Sequence, residues 1–137
     1  MLQELQHYLR HRPIVPFAVT SDKLPTVRPM TITSLGDRLY THTDRSSRKM
    51  TALRENPAFS FYVTDDQGFL RFVHGRTVFR DEPSLRAALF EAEPILHQHY
   101  KSSSDQEFEV LELEVERIDW YEDDGSLNGW KNPEVQG

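Results

Sequence analysis

The sequence predicts a mainly β fold, a small antiparallel β-barrel of six or seven strands with two or three flanking helices. Three observations carry that expectation. Short runs rich in β-branched and aromatic residues follow one another, each bounded by Gly, Pro, Asn or Asp. Stretches of helical spacing are few and stand between those runs, with no internal repeat. A chain of 137 residues makes one domain, 1–137, able to bury about two-thirds of its unfolded surface around one core.

Leu2, Leu5 and Leu9 recur at helical spacing, so Leu2–Arg12 reads as an amphipathic helix stopped by Pro13, with Arg10, His11 and Arg12 at its negative end. Its expected place is over one end of the barrel. Ile14–Thr20 and Thr26–Thr33 form a hairpin across the turn SDKLP, and SLGD leads into a third strand, Arg38–Thr43. Asp44–Glu55 has helical character until Asn56-Pro57 stops it. Ala58–Thr64 alternates, DDQG turns the chain, and Phe69–Phe79 is a long strand in which Gly75 marks a bulge or bend. Asp81–Tyr100 reads as one helix, with Asp81 as cap, Pro83 in the first turn and Leu85, Leu89, Ala92 and Leu96 on one side. After the loop KSSSD, Phe108–Trp120 alternates as a strand with one solvated face. The tail, 121–137, is rich in Asp, Gly, Asn and Pro and reads as irregular, with Trp130 docking on the body or on a partner.

Composition narrows the function. Without Cys there is no disulfide framework and no thiolate metal or redox chemistry, which fits a reducing cytoplasm. The polar residues among the N-terminal leucines exclude a signal peptide core or a span of roughly 20 apolar residues, so no membrane role is expected. With 22 acidic and 16 basic residues the overall field repels polyanions, which argues against nucleic acid as a partner. Any anion site must be local. The acids crowd into 105–124, whereas Arg28, Arg38, Arg45, Arg48, Lys49 and Arg54 lie in the first half.

The stretch LYTHTDRSSRKM, Leu39 to Met50, gathers cations and hydroxyls at the entry to a helix. A helix start offers unpaired N–H groups and positive potential. Thr43, Ser46 and Ser47 add hydroxyl donors, Arg48 a planar fork and Lys49 a point charge, a set suited to a terminal phosphate monoester. Taken alone, the stretch reads first as a capped helix with a solvated basic face. The preceding strand, TVRPMTIT, shifts the balance: Arg28, Met30 and Ile32 share one face, a cation followed by apolar contacts that would hold a phosphate and then a flat ring.

The ordered set VRPMTI, LYTHT, SSRK, LRENP and RFVHG resembles the pyridoxamine 5′-phosphate oxidase-like FMN-binding split-barrel family, over roughly 14–79. The resemblance implies a six- to seven-stranded split barrel and a homodimer with FMN at its interface. It implies that Arg28, Ser47, Arg48 and Lys49 hold the phosphate, that Tyr40 and Thr41 fall on the family's Tyr-Thr pair, and that Met30, Thr31 and Ile32 line the isoalloxazine. His42 and Thr43 fall inside YTHTDRSSRK, which is longer between Tyr and Arg than in the vitamin B6 oxidases. Those enzymes have Lys where Thr33 stands, Gln where Leu70 stands, and a C-terminal Arg-x-His motif absent here, so the resemblance implies FMN binding without pyridoxamine phosphate as substrate.

It further implies an oxidoreductase of unknown substrate with a small-molecule electron donor or acceptor, the flavin itself supplying the redox chemistry. No catalytic acid–base pair is evident. Alternatives are a non-enzymatic flavin-binding or stress-associated protein and a deazaflavin or haem relative. His97 and His99 at i, i+2 of a helix point apart and make no metal site. His74 serves either as a polar strand residue or in a site. Trp120 and Trp130 are expected in packing, with flavin stacking from a partner as the rarer use.

Overall fold

The computed structural model describes residues 1–135: α1 (Leu2–His11), β1 (Ile14–Ser21), β2 (Leu24–Leu35), β3 (Arg38–Asp44), α2 (Arg48–Glu55), β4 (Ala58–Thr64), β5 (Leu70–Arg80), α3 (Pro83–Ala92), α4 (Leu96–His99), β6 (Phe108–Tyr121) and β7 (Leu127–Lys131). All strand pairs are antiparallel in the order β3-β2-β1-β4-β5-β6-β7. A further pairing of β3 with β6 closes six of them into the expected barrel. No described helix is long and apolar enough to cross a membrane.

The barrel is filled by the inward positions of every strand. Phe17, Phe59 and Phe61 stack with interplanar angles of 12–13° among Val15, Met30, Ile32, Val73, Leu111 and Ile118. Leu5 and Leu9 of α1 plug one end; Met50, Ala52 and Leu53 of α2 plug the other. A second cluster lies outside the barrel wall, where α3 and α4 cover Tyr40, Phe108 and Val110 with Leu89, Leu96 and Tyr100.

The β1–β2 turn is tighter than SDKLP suggested. Asp22 and Lys23 take positive φ of 50° and 65°, a two-residue hairpin turn whose twist suits the flanking strands. The expected irregularity at Gly75 is a register shift between His74 and Gly75 against β6. The reason for glycine is contact: a Cβ there would overlap the Glu114 carbonyl and lie 2.9 Å from the Phe59 ring.

Four expectations need correction. The helix expected from Asp44 starts at Arg48, with Ser47 as N-cap accepting the Met50 N–H at 3.2 Å; Asp44 ends β3 and accepts the Tyr100 hydroxyl at 2.6 Å. The long helix Asp81–Tyr100 is two, because Pro94 has no N–H to continue the ladder, and its N-cap is Glu82, not Asp81. Over residues 108–113 β6 has no solvated face: Glu109 and Glu112 are buried with the apolar residues, bonded to Arg45 and to Arg38 and Arg80. The tail is not irregular throughout. Gly125, at φ 84°, turns the chain so that β7 pairs with the end of β6, and Trp130 packs on the core. Leu127–Lys131 has no apolar alternation, so its pairing was not legible.

Candidate functional site

Arg28 leaves β2 near its start, and the first turn of α2 approaches it from β3. The two segments share one cleft of about 280 Å³, walled by Val19, Ser21, Thr26, Arg28, Arg48, Lys49 and Ala52. Val19, Ser21, Thr26 and Ala52 carried no sequence signal; the β1–β2 hairpin brings in the first three and α2 the last.

Charge at this cleft is uncompensated. Among the described residues, Arg28 donates only to the Val27 carbonyl, at 2.9 Å, and neither Arg28, Arg48 nor Lys49 pairs with a carboxylate. Lys49 Nζ donates to the Met30 sulfur at 3.1 Å, a weak acceptor for an ammonium. Burial holds the Lys49 ammonium below the usual lysine range, Arg28 pushes the same way, and Asp44 offsets them in part. Arg45, grouped with these cations in sequence, is diverted: its Nε bonds Glu109 at 2.6 Å.

The hydroxyls are arranged around the helix start. Thr43 and Ser47 bond each other at 3.0 Å, and Ser47 Oγ already accepts the Met50 N–H. With Thr43 donating to Ser47, the Ser47 hydroxyl hydrogen stays unspent. The first turn of α2 carries no acidic side chain, so its dipole adds to the positive potential. Ser46 is turned away to Glu107, at 2.9 Å.

The remaining candidates divide between the two faces of the barrel wall. Met30 and Ile32 are core residues, 5% and 2% exposed. Thr41 is buried and donates to the Thr31 carbonyl at 2.8 Å, fastening β3 to β2. Tyr40 and His42 face outward beneath α3 and α4; His42 stands edge-on to Tyr100 with centroids 6.1 Å apart. Burial, reinforced by His99, lowers the His42 imidazole to about 4. Burial and the Asp44 bond raise the Tyr100 hydroxyl far above the usual tyrosine range. Thr31 is half-buried on the outward face of β2, opposite Ile14.

A larger cavity of about 420 Å³ opens at the α1 end, walled by Asp37, Arg38, Glu112, Glu114 and Glu134 among others. Its acids make it a poor anion seat. His97 stacks on Phe90 at 4.2 Å, and no metal-binding group of three or more His, Asp or Glu is present among the described residues. Trp120 and Trp130 pack on the core, Trp120 beneath the Arg71 guanidinium at 5.0 Å.

A family model described as pyridoxamine 5′-phosphate oxidase matches residues 1–120. No curated protein matches the chain. Solved structures share the fold at low identity. A nimC/nimA family protein from Clostridium acetobutylicum is 18% identical, with 94% of this chain and 93% of that one covered and a TM-score of 0.81. PhzG from Burkholderia lata, in complex with tetrahydrophenazine-1-carboxylic acid, is 17% identical over 97% and 87%, TM-score 0.73. A heme binding protein from Mycobacterium smegmatis is 16% identical over 96% of this chain and 58% of its own, TM-score 0.71.

Proposed function

The chain belongs to the pyridoxamine 5′-phosphate oxidase family, and from that premise we propose that it is an FMN-dependent oxidoreductase whose cofactor phosphate sits between β2 and the start of α2. The observation that carries this reading is the half-buried ammonium of Lys49, which has only a thioether for acceptor and two further unpaired guanidiniums beside it. In a chain of net charge −6, three such cations around one cleft fit a doubly charged phosphate.

Arg28, Arg48 and Lys49 neutralise the phosphate, the Ser47 hydroxyl and the first N–H groups of α2 donate to it, and Thr43 holds Ser47 in place. Each charge-assisted bond contributes roughly 1.5–3 kcal/mol. FMN, when bound, supplies the hydride and electron chemistry through its ring. Beyond the phosphate the ring would run along β2 at Met30, Thr31 and Ile32, meeting backbone at Met30 and Ile32, whose side chains belong to the core. Tyr40, Thr41 and His42 then support that wall from the neighbouring strand.

The protein works in this reading as a homodimer. The outward face of β2, β1, β4 and β5 leaves Val27, Ile14, Tyr62 and Leu70 between 40% and 66% exposed, a row of apolar groups that a second copy would cover. A small-molecule donor and acceptor would reach the ring from the groove between copies.

The test is spectral. The purified protein, or the protein titrated with FMN, is expected to show flavin absorbance at one FMN per chain. The Arg48→Ala/Lys49→Ala variant, which loses two charge-assisted bonds, should bind FMN on the order of 10²–10⁴-fold more weakly while staying folded. Stoichiometric flavin in that variant would refute the seat, and a Soret band in place of flavin bands would move the protein to the haem reading. Reduction of bound FMN by NAD(P)H and reoxidation by a quinone, a nitro compound or oxygen separates an enzyme from a passive flavin binder.

A further inference from the structure

Outside the cleft, the outward face carries a line of polar groups, joined by one hydrogen bond and one ion-pair contact at His74, that neither the core nor the phosphate seat uses. Ser60 Oγ on β4 lies 2.8 Å from His74 Nδ1 on β5. His74 Nε2 lies 3.3 Å from Asp119 Oδ2 on β6, and Asp119 Oδ1 accepts from Arg117 Nε at 2.6 Å. The line is built to hold one orientation. Asp119 is 9% exposed, and β7 closes over it with Gly129, where a Cβ would approach Oδ1 to 2.7 Å.

The contacts set the chemistry. The Asp119 carboxylate beside Nε2 favours the hydrogen on that nitrogen, and in the neutral ring Nδ1 is then the acceptor for the Ser60 hydroxyl. Ser60 Oγ presents lone pairs outward. When the ring is protonated, Nδ1 donates to Ser60 Oγ and the Ser60 hydrogen turns outward as a donor. One proton thus passes from His74 Nδ1 to Ser60 Oγ while the Ser60 proton goes to an oxygen or nitrogen acceptor; Nε2 keeps its hydrogen beside the Asp119 carboxylate, and no electrons move.

Register places this outlet. Val27, Ala18, Ser60 and His74 are successive cross-strand partners on β2, β1, β4 and β5. Ser60 and His74 therefore sit at the far side of the apolar face from Val27, the neighbour of Arg28, with Val27 and His74 three strand spacings or about 14 Å apart. A two-fold axis lying in that face parallel to the strands sets β5 of one copy over β2 of the other. We propose that Ser60, His74 and Asp119 form a proton relay that each copy presents across the interface to the flavin seat of its partner, serving acceptors such as quinones or nitro compounds whose reduction takes up protons. This rests on the dimeric FMN reading above.

Two measurements test it on the full-length protein. In NMR spectra of the histidine ring protons, adding FMN should shift the His74 signal in the wild type and leave it unmoved in Arg28→Ala/Lys49→Ala; a His74 signal indifferent to FMN in yellow wild-type protein overturns the relay. His74→Gln and Ser60→Ala should keep wild-type FMN content and Tm yet slow reoxidation of the reduced protein by a benzoquinone about 100-fold or more, the lower end of the range for a lost acid–base group. Unchanged rates overturn it. Mixed dimers of His74→Gln with Arg28→Ala/Lys49→Ala contain one intact seat facing one intact relay only if the relay acts across the interface, so they should recover up to half the wild-type rate; no recovery refutes the placement. A wild type that never binds FMN would sink the flavin reading itself, an outcome distinct from all of these.

Discussion

Acid should unfold this protein in part through one imidazole. His42 lies under α3 and α4 against Tyr100, with its pKa lowered to about 4 from an ordinary 6.5, by burial first and then by His99 and Lys49, with Asp44 opposing. The unfolded chain binds a proton at this residue at higher pH than the folded chain does. Its contribution to stability is therefore complete above about pH 6.5, falls as the pH drops toward 4, and changes no further below that. At pH 5 the unfolded imidazole is almost fully protonated and the folded one almost fully neutral, a loss of about 2 kcal/mol. The assay is urea unfolding at pH 7.5 and pH 5 of the wild type and of His42→Gln, without added FMN so that ligand linkage does not enter. The wild type should lose about 1 M more of its urea midpoint between the two pH values than the variant loses, since carboxylates and the other histidines titrate in both. Equal losses would refute the burial argument.

Other outcomes follow from single contacts. Arg45→Ala should leave FMN affinity within about twofold, because Glu109 already neutralises that guanidinium, whereas Lys49→Met should weaken it by 10-fold or more; FMN titration followed by fluorescence decides. Arg86, on the buried side of α3, donates to the carbonyls of Ser103, Asp105 and Phe108, so Arg86→Met should cost about 2–4 kcal/mol in thermal or urea unfolding and speed hydrogen exchange across 101–108. Gly75→Ala should cost about 3 kcal/mol or more, or fail to yield folded protein, since the added methyl meets backbone rather than a side chain that can move.

Much of the fold was legible because its punctuation is local. Pro13, Asn56-Pro57 and the SLGD and DDQG turns bound β1 through β5 within a few residues, and alternation in AFSFYVT marked β4 as a strand. What escaped depends on partners distant in sequence. The carboxylates of Glu109 and Glu112 read as a solvated face because Arg38, Arg45 and Arg80, which make their burial tolerable, come from β3, the turn after it and β5. The same blindness affected the site. The basic cluster was visible at Arg45, Arg48 and Lys49, but which of these cations is consumed internally depends on Glu109, and the thioether beneath Lys49 depends on the β2 register. Period two put Arg28, Met30 and Ile32 on one face; it did not say that this face looks into the barrel.

The β3–β6 seam has a kinetic consequence. Arg38 and Glu112, bonded across it, are separated by 74 residues, so the cylinder cannot close until β6 has left the ribosome. Until then β3 ends in an open hydrogen-bonding edge, and α2, with Arg48 and Lys49, follows a strand paired on one side only. A nascent chain stopped before Phe108 would expose that edge to other chains, making aggregation during synthesis the natural failure mode.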